Sequence, residues 1–177
     1  MEKIKWIIDP AHSEIGFKVK HLMITNVKGV FKKFSASVTT EGDDFRNAEI
    51  EVDIDAASID TANEQRDAHL KSPDFFDVAK FNKVYFKGSS FEKTGDGKYT
   101  LEGELTVRDI TKKINLEVEF GGIVTDPYDN IKAGFGVQGK ISRKDFGLLW
   151  NGLTETGGVV VSDEVRINCE VQFIKQK

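Results

Sequence analysis

Residues 99–120, YTLEGELTVRDITKKINLEVEF, alternate with a period of two through most of their length. Tyr99, Leu101, Gly103, Leu105 and Val107 share one face, and Thr100, Glu102, Glu104 and Thr106 share the other. Beyond a polar break, Ile114, Leu116, Val118 and Phe120 alternate with Asn115, Glu117 and Glu119. Successive side chains of a strand point to opposite faces, so the pattern reads as two strands with one face buried and one in water.

The same alternation recurs on both sides of this stretch. Upstream it runs through Ser13, Ile15, Phe17, Val19 and His21, then Phe34, Ala36 and Val38. It continues through Ile50, Val52, Ile54 and Ala56, and through Val84 and Phe86. Downstream it runs through Ala133, Phe135, Val137, Gly139 and Ile141, and finally Val165, Ile167, Cys169, Val171 and Phe173. Eight half-buried strands result, the signature of antiparallel sheet with one solvated face. Two packed sheets or one closed barrel would satisfy it. Turn signals separate the runs at Thr40-Glu41-Gly42-Asp43, Gly95-Asp96-Gly97 and Asp126-Pro127-Tyr128-Asp129-Asn130. With no linker and no internal repeat, residues 1–177 read as a single domain.

Two segments break the pattern. In Ser58 to Phe86, Thr61 followed by Glu64 is a capping-box spacing and predicts a helix over Thr61 to Leu70, stopped by Ser72-Pro73. Its only apolar residues are Ala62, Ala68 and Leu70, too few for a core helix. Phe75, Phe76 and Phe81 follow at once, so the segment reads as a lid or mouth element on a β scaffold. The second segment, Arg143 to Asp163, sets Phe146, Leu148, Leu149 and Trp150 among glycines; such a connection must pack somewhere, and the barrel mouth is the expected place.

Composition narrows the function classes. The chain has 39% hydrophobic and 31% charged residues, as an ordinary globular protein does. Its 13 phenylalanines against 3 tyrosines and 2 tryptophans are rings without a polar handle, which a large core or an apolar ligand cavity would absorb. A net charge of −4, with no basic block longer than Lys32-Lys33 or Lys112-Lys113, argues against nucleic acid. No stretch is apolar enough for a spanning helix, and the start MEKIKWIIDPAH lacks the apolar core of an export signal. A lone cysteine, Cys169, fits a reducing cytoplasm, and a cytoplasmic location is the expectation.

Catalytic and cofactor signals are weak. Gly134-Phe135-Gly136-Val137-Gln138-Gly139 matches a dinucleotide fingerprint literally, yet it lies inside an alternating strand with no helix after it. Glycines there mark a bend or close approach. His12, His21 and His69 have no metal-ligand spacing, and no nucleophile-elbow pattern occurs, so neither metal nor cofactor is expected. His21 shares parity with Phe17 and Val19 and reads as a hydrogen-bonded pocket histidine, and Cys169 reads as an inert core thiol.

Several segments together resemble the YceI-like family of lipocalin-like, polyisoprenoid-binding proteins. They are Ile8-Asp9-Pro10-Ala11-His12-Ser13-Glu14-Ile15-Gly16-Phe17-Lys18-Val19-Lys20-His21, Gly29-Val30-Phe31, Ser58-Ile59-Asp60-Thr61 and Arg66-Asp67-Ala68-His69-Leu70-Lys71-Ser72. Asp74-Phe75-Phe76-Asp77, Gly103-Glu104-Leu105-Thr106-Val107-Arg108, Arg143-Lys144-Asp145-Phe146-Gly147 and Ser162-Asp163-Glu164-Val165 complete the set in order. Phe81-Asn82 and Arg108 to Lys113 depart from the family's usual turns.

The resemblance implies an all-β fold, an extended eight-stranded antiparallel lipocalin-like barrel with a short helix at its opening. It implies an elongated tunnel for a polyisoprenoid or other long-chain amphiphile, and members that are in part dimeric, so a homodimer is within expectation. Inward parity names the wall. Ile15, Phe17, Phe34, Phe86, Phe135 and Val137 would line it, joined by Val19, Ile54, Val84, Leu105, Val107 and Ile141. His21, His69, Leu70, Phe75, Phe76, Phe146 and Trp150 would surround the mouth. Small residues at Ala36, Ala56, Gly103, Ala133 and Gly139 would free volume inside. A non-catalytic lipid carrier is the leading reading. An enzyme with His21 or His69 as general base, and a solid-cored barrel, are the alternatives; bound-ligand mass separates the carrier from the solid core, and a His21→Ala activity screen tests the enzyme.

Overall fold

Alternation over this many residues leaves each strand an apolar face that only a second wall can cover, and the chain supplies that wall by curling one sheet onto itself. The computed structural model describes residues 2–151 and 160–177. Its strands are β1 (Lys3–Ile8), β2 (Glu14–His21), β3 (Thr25–Phe31), β4 (Phe34–Glu41), β5 (Asp44–Asp55), β6 (Ile59–Asp60), β7 (Lys83–Gly95), β8 (Lys98–Val107), β9 (Ile110–Thr125), β10 (Ile131–Ser142) and β11 (Val161–Lys175). One helix, α1 (Glu64–Lys71), falls between β6 and β7. Among the described residues no helix is long and apolar enough to cross a membrane.

All pairings are antiparallel. The order β1-β4-β5-β7-β8-β9-β10-β11 closes on itself through β1–β11, giving the eight-stranded barrel. A wing of β2, β3 and β6 extends the wall beyond this ring. β11 serves both parts along one edge: Phe173 to Lys175 pair with β1, and Val161 to Glu170 with β2. The wall breaks where Asp9-Pro10 leaves the sheet, since proline has no N–H to give a ladder. There the Asp9 carboxylate caps a short 3-10 turn by accepting from the Ala11 N–H at 3.1 Å.

The eight alternating runs correspond to β2, β4, β5 and β7 to β11, and the strand pattern misses three elements. β1 is short, β3 is punctuated by Gly29, and β6 has two residues, so none offers a long alternating run. The ring itself counts eight because β1 joins it while β2 lies in the wing. Tight turns follow the glycines: Gly42 and Gly97 take φ of 64° and 67°, a left-handed conformation that a Cβ disfavours.

One end of the barrel is closed by aromatic packing. Trp6 is fully buried, donates its indole N–H to the Thr40 hydroxyl at 3.1 Å, and meets Phe45 at 5.1 Å. Phe45 in turn packs on Phe120 and Phe135, and Phe135 on Phe173. Outside this plug the Lys132 ammonium bonds the Asp9 carboxylate at 2.8 Å, which holds Asp9 below the usual aspartate range. At the other end, Arg108 and Asp109 make a two-residue turn between β8 and β9, and the Arg108 guanidinium donates to the Gly147 carbonyl at 2.6 Å.

Candidate ligand cavity

The barrel core is incompletely filled. A cavity of about 650 Å³ runs through it, within the range of small-molecule sites. Its walls are apolar: Ile15, Phe17 and Val19 from β2; Ala36 from β4; Ile54 from β5; Val84 and Phe86 from β7; Leu105 and Val107 from β8; and Phe135, Val137 and Ile141 from β10. Leu70, Phe75 and Phe76 contribute from α1 and the segment after it, with Phe146 and Trp150 from the connection after β10. His21 and His69 line it as well.

Phe34 is the exception among the residues expected to line the cavity. It pairs in register with Ile54 and packs half-buried against the core, outside the cavity wall. At the start of β4 it covers the core's edge instead. Liners outside the expected set include Phe31, Phe45, Ile50, Val52, Leu101, Leu116, Val118 and Ile167. Most of these share the inward parity of the same runs, and that signal would have found them. Phe31 and Val27 lie on β3, which the alternation missed.

The small residues act differently from expectation. A Cβ at Gly103 would fall 2.4 Å from Phe86 Cζ, and one at Gly139 would fall 2.4 Å from Leu116 Cδ2. Both glycines therefore seat a neighbour's side chain and leave no free volume of their own. Ala56 and Ala133 are buried outside the cavity, so of the five only Ala36 borders it.

Polar liners gather at the open end. They are Lys20 and His21 from β2, Thr61, Asn63, Gln65, Arg66 and His69 around α1, and Arg143 after β10. Among the described residues no Asp or Glu lines the cavity. His69 bonds the Asp74 carboxylate at 2.9 Å and meets Trp150 and Phe75 edge-on at 4.7 and 5.1 Å. His21 lines the cavity as expected of a pocket histidine, but its ring has no hydrogen-bond partner among the described residues.

Helix α1 starts later than the Thr61–Glu64 spacing implies. Asn63 is the N-cap, in extended conformation, with its side-chain oxygen accepting from the Arg66 N–H at 2.9 Å. Thr61 is buried and serves as a latch: its hydroxyl and N–H both reach Asp67 Oδ1, at 2.5 and 2.9 Å. Arg66 Nε and Nη2 return to the Thr61 hydroxyl and carbonyl. Termination at Ser72 is as expected, with Ser72 donating to the His69 carbonyl. No residue of α1 is fully buried, as its few apolar residues foretold.

The connection after β10 packs at the mouth. Phe146 and Leu148 are buried, Trp150 lines the cavity and Leu149 is exposed. Residues 152–159 of the expected long connection lie outside the described residues. Arg143 is buried, and its guanidinium donates to four carbonyls, those of Leu148, Trp150, Val161 and Ser162, at 2.6 to 3.2 Å. Burial lowers its pKa from the ordinary arginine value, opposed by the charge of Asp163.

Cys169 borders the cavity on β11, and burial pushes its thiol up to about 11. The nucleophilic thiolate is then scarce at neutral pH. Charged thiol reagents should label it slowly in the native protein and rapidly after denaturation. Equal rates in the two states would contradict its burial.

A closed antiparallel barrel with an apolar interior, plugged at one end and polar at the other, defines a class of cavity-bearing β-barrels. The chain belongs to the YceI-like domain family, whose model matches residues 6–173. It is 37% identical to UPF0312 protein SA2479 of Staphylococcus aureus, over 93% of this chain and 94% of that protein. It is 36% identical to the Campylobacter jejuni YCEI protein, whose crystal structure superposes with a TM-score of 0.76 over 96% of each chain. Burkholderia cenocepacia BcnA, at 24% identity, shares the fold with a TM-score of 0.81 over 93% of this chain and 98% of its own.

Proposed function

We propose that this protein binds and carries, or sequesters, a long-chain apolar or amphiphilic lipid of polyisoprenoid or isoprenoid-quinone type, without catalysis. The observation that carries this reading is the apolar cavity of about 650 Å³ reaching from a polar rim to an aromatic plug. A buried methylene contributes roughly 0.8 kcal/mol, so about a dozen of them offset much of the cost of association. Cavity length then sets specificity more than polar contacts do, and related chain lipids compete for the site. A domain of Saccharophagus degradans described as polyisoprenoid binding shares this fold at 14% identity, with a TM-score of 0.71 over 97% of this chain and 98% of its own. Its ligand class supports the reading only as an analogy of fold. Of the cations that line the rim, Arg143 is committed to four carbonyls and Arg66 gives Nε and Nη2 to Thr61. Lys20 has no carboxylate partner among the described residues and favours a head group that is anionic or accepts hydrogen bonds. A cytoplasmic site of action is part of the same proposal, and fractionation of source cells checks it.

Native mass spectrometry of freshly purified protein should show an apolar chain molecule bound. Spectra of the bare chain alone, with no uptake of an added polyprenol, would end the carrier reading.

The gating role of α1 has its own test. Asn63→Ala removes the cap and costs the helix about 1 kcal/mol. Short helices held by little burial open before the core does. Lipid dissociation should therefore accelerate while hydrogen exchange in β8 to β11 keeps its protection. An unchanged off-rate, or protection lost throughout those strands, would make α1 a structural plug.

A further inference from the structure

The tip of the β2–β3 hairpin is apolar, exposed and held in an unfavourable backbone conformation. Leu22, Met23 and Ile24 are 39%, 53% and 79% exposed. Leu22 and Met23 take φ of 52° and 61°, the left-handed region that large side chains avoid. Neither is glycine or asparagine, so local folding preference does not account for them, and strain of this kind points to use. The tip adjoins the cavity opening. The Leu22 N–H donates to the Val160 carbonyl at 2.7 Å, and Val161 pairs with His21. His21, Val160 and Val161 all line the cavity.

The surface beneath the tip is cationic in a chain of net charge −4. Along the hairpin, from residue 15 to residue 31, there are three lysines, Lys18, Lys20 and Lys28, and no Asp or Glu. Lys28 pairs in register with Lys18, Lys18 with Arg166, and Arg166 with Lys140. Four cations thus cross β3, β2, β11 and β10 in one row. Like charges directly opposite are destabilising in a sheet, so the row is not there for the fold's sake. Glu164 bridges Lys140 and Arg166. Asp163 is committed to the Ser142 hydroxyl and the Lys144 N–H. Lys18, Lys20 and Lys28 have no carboxylate partner among the described residues.

We propose that the β2–β3 hairpin docks on an anionic lipid bilayer, its apolar tip in the interface and its cation row facing the head groups, so that the cavity opens against the membrane. Strand rise places the row about 13 Å behind the tip. With the tip buried about 5–10 Å, the row lies within about a Debye length of the head-group plane. Methionine suits such a contact because its flexible side chain adapts to irregular apolar surroundings. That the bilayer is the source of cargo rests on the carrier reading; the docking itself does not.

The test is co-sedimentation of the full chain with phosphatidylglycerol or phosphatidylcholine vesicles. The protein should pellet with the first, weakly with the second, and less as salt rises. Met23→Ser with Ile24→Ser should reduce the bound fraction at least about tenfold. Lys18→Gln with Lys28→Gln should remove the preference for phosphatidylglycerol. Val124→Ser with Tyr128→Ser, on the equally exposed but acidic β9–β10 tip at the plugged end, should change nothing. The proposal is overturned if the wild-type chain stays in solution or if the tip variant binds as wild type does. It is also overturned if the tip variant merely converts a dimer to a monomer on gel filtration, since a second copy would then be the occupant. Polyprenol uptake from ethanolic solution, without vesicles, should be unchanged in the tip variant. Absence of that uptake in the wild type would sink the carrier reading and leave the vesicle result to stand alone.

Discussion

Phe135→Asp should abolish polyprenol uptake and lower stability by at least about 4 kcal/mol. Phe135 lies mid-strand on β10 and forms the floor of the cavity with Phe45 at 5.1 Å, Phe120 at 5.2 Å and Phe173 at 6.1 Å. Removing a buried phenylalanine ring alone costs about 3–5 kcal/mol. A carboxylate in its place loses hydration without gaining a partner. Phe135→Leu keeps more of the volume and should fold, with a smaller loss and measurable but weaker uptake. Denaturant unfolding and uptake on both variants decide the matter. Wild-type behaviour of the aspartate variant would mean that the ring does not face the interior.

Arg143→Met should be the second large effect, about 3 kcal/mol of stability with a faster lipid off-rate. The guanidinium ties the start of the connection, at Leu148 and Trp150, to its return at Val161 and Ser162. Without it four carbonyls lose a charged donor, and those not reached by water carry the cost. Arg143→Lys should not rescue the loss, because one ammonium cannot reproduce a planar fork serving four acceptors. Trp150 would leave the rim, which a red shift in tryptophan emission reports; Trp6, buried in the plug, would hold constant. Full rescue by lysine would show that charge, and not the fork, holds the connection.

Much of the barrel was legible because period-two alternation is a local signal with one physical cause, and every long strand carries it. β3 and β6 were not, since Gly29 and a two-residue bridge leave no run to count. The wall residues followed from parity, except that parity says which face Phe34 is on and nothing of where a strand passes the cavity's edge. Helix α1 was placed by composition, but its first turn was misread. Thr61 and Glu64 have capping-box spacing, while the nearby Asn63 competes for the same role and Asp67 claims the threonine. Such competition is decided by three-dimensional geometry. The burial of Arg143 had no sequence signal, because a guanidinium satisfied by carbonyls needs no acidic residue nearby in the chain.

The aromatic plug built on Trp6 and Phe45 turns the tunnel into a cul-de-sac. On the carrier reading proposed above, a chain molecule would enter tail-first and leave by reversing along the same path, so loading and unloading would share one doorway. Donor and acceptor surfaces would then exclude each other, and no ternary handover complex would form. Transfer between two vesicle populations should follow substituted-carrier kinetics, in which excess acceptor slows reloading by occupying the doorway. The rate then passes through a maximum as acceptor rises, where a tunnel open at both ends would reach a plateau.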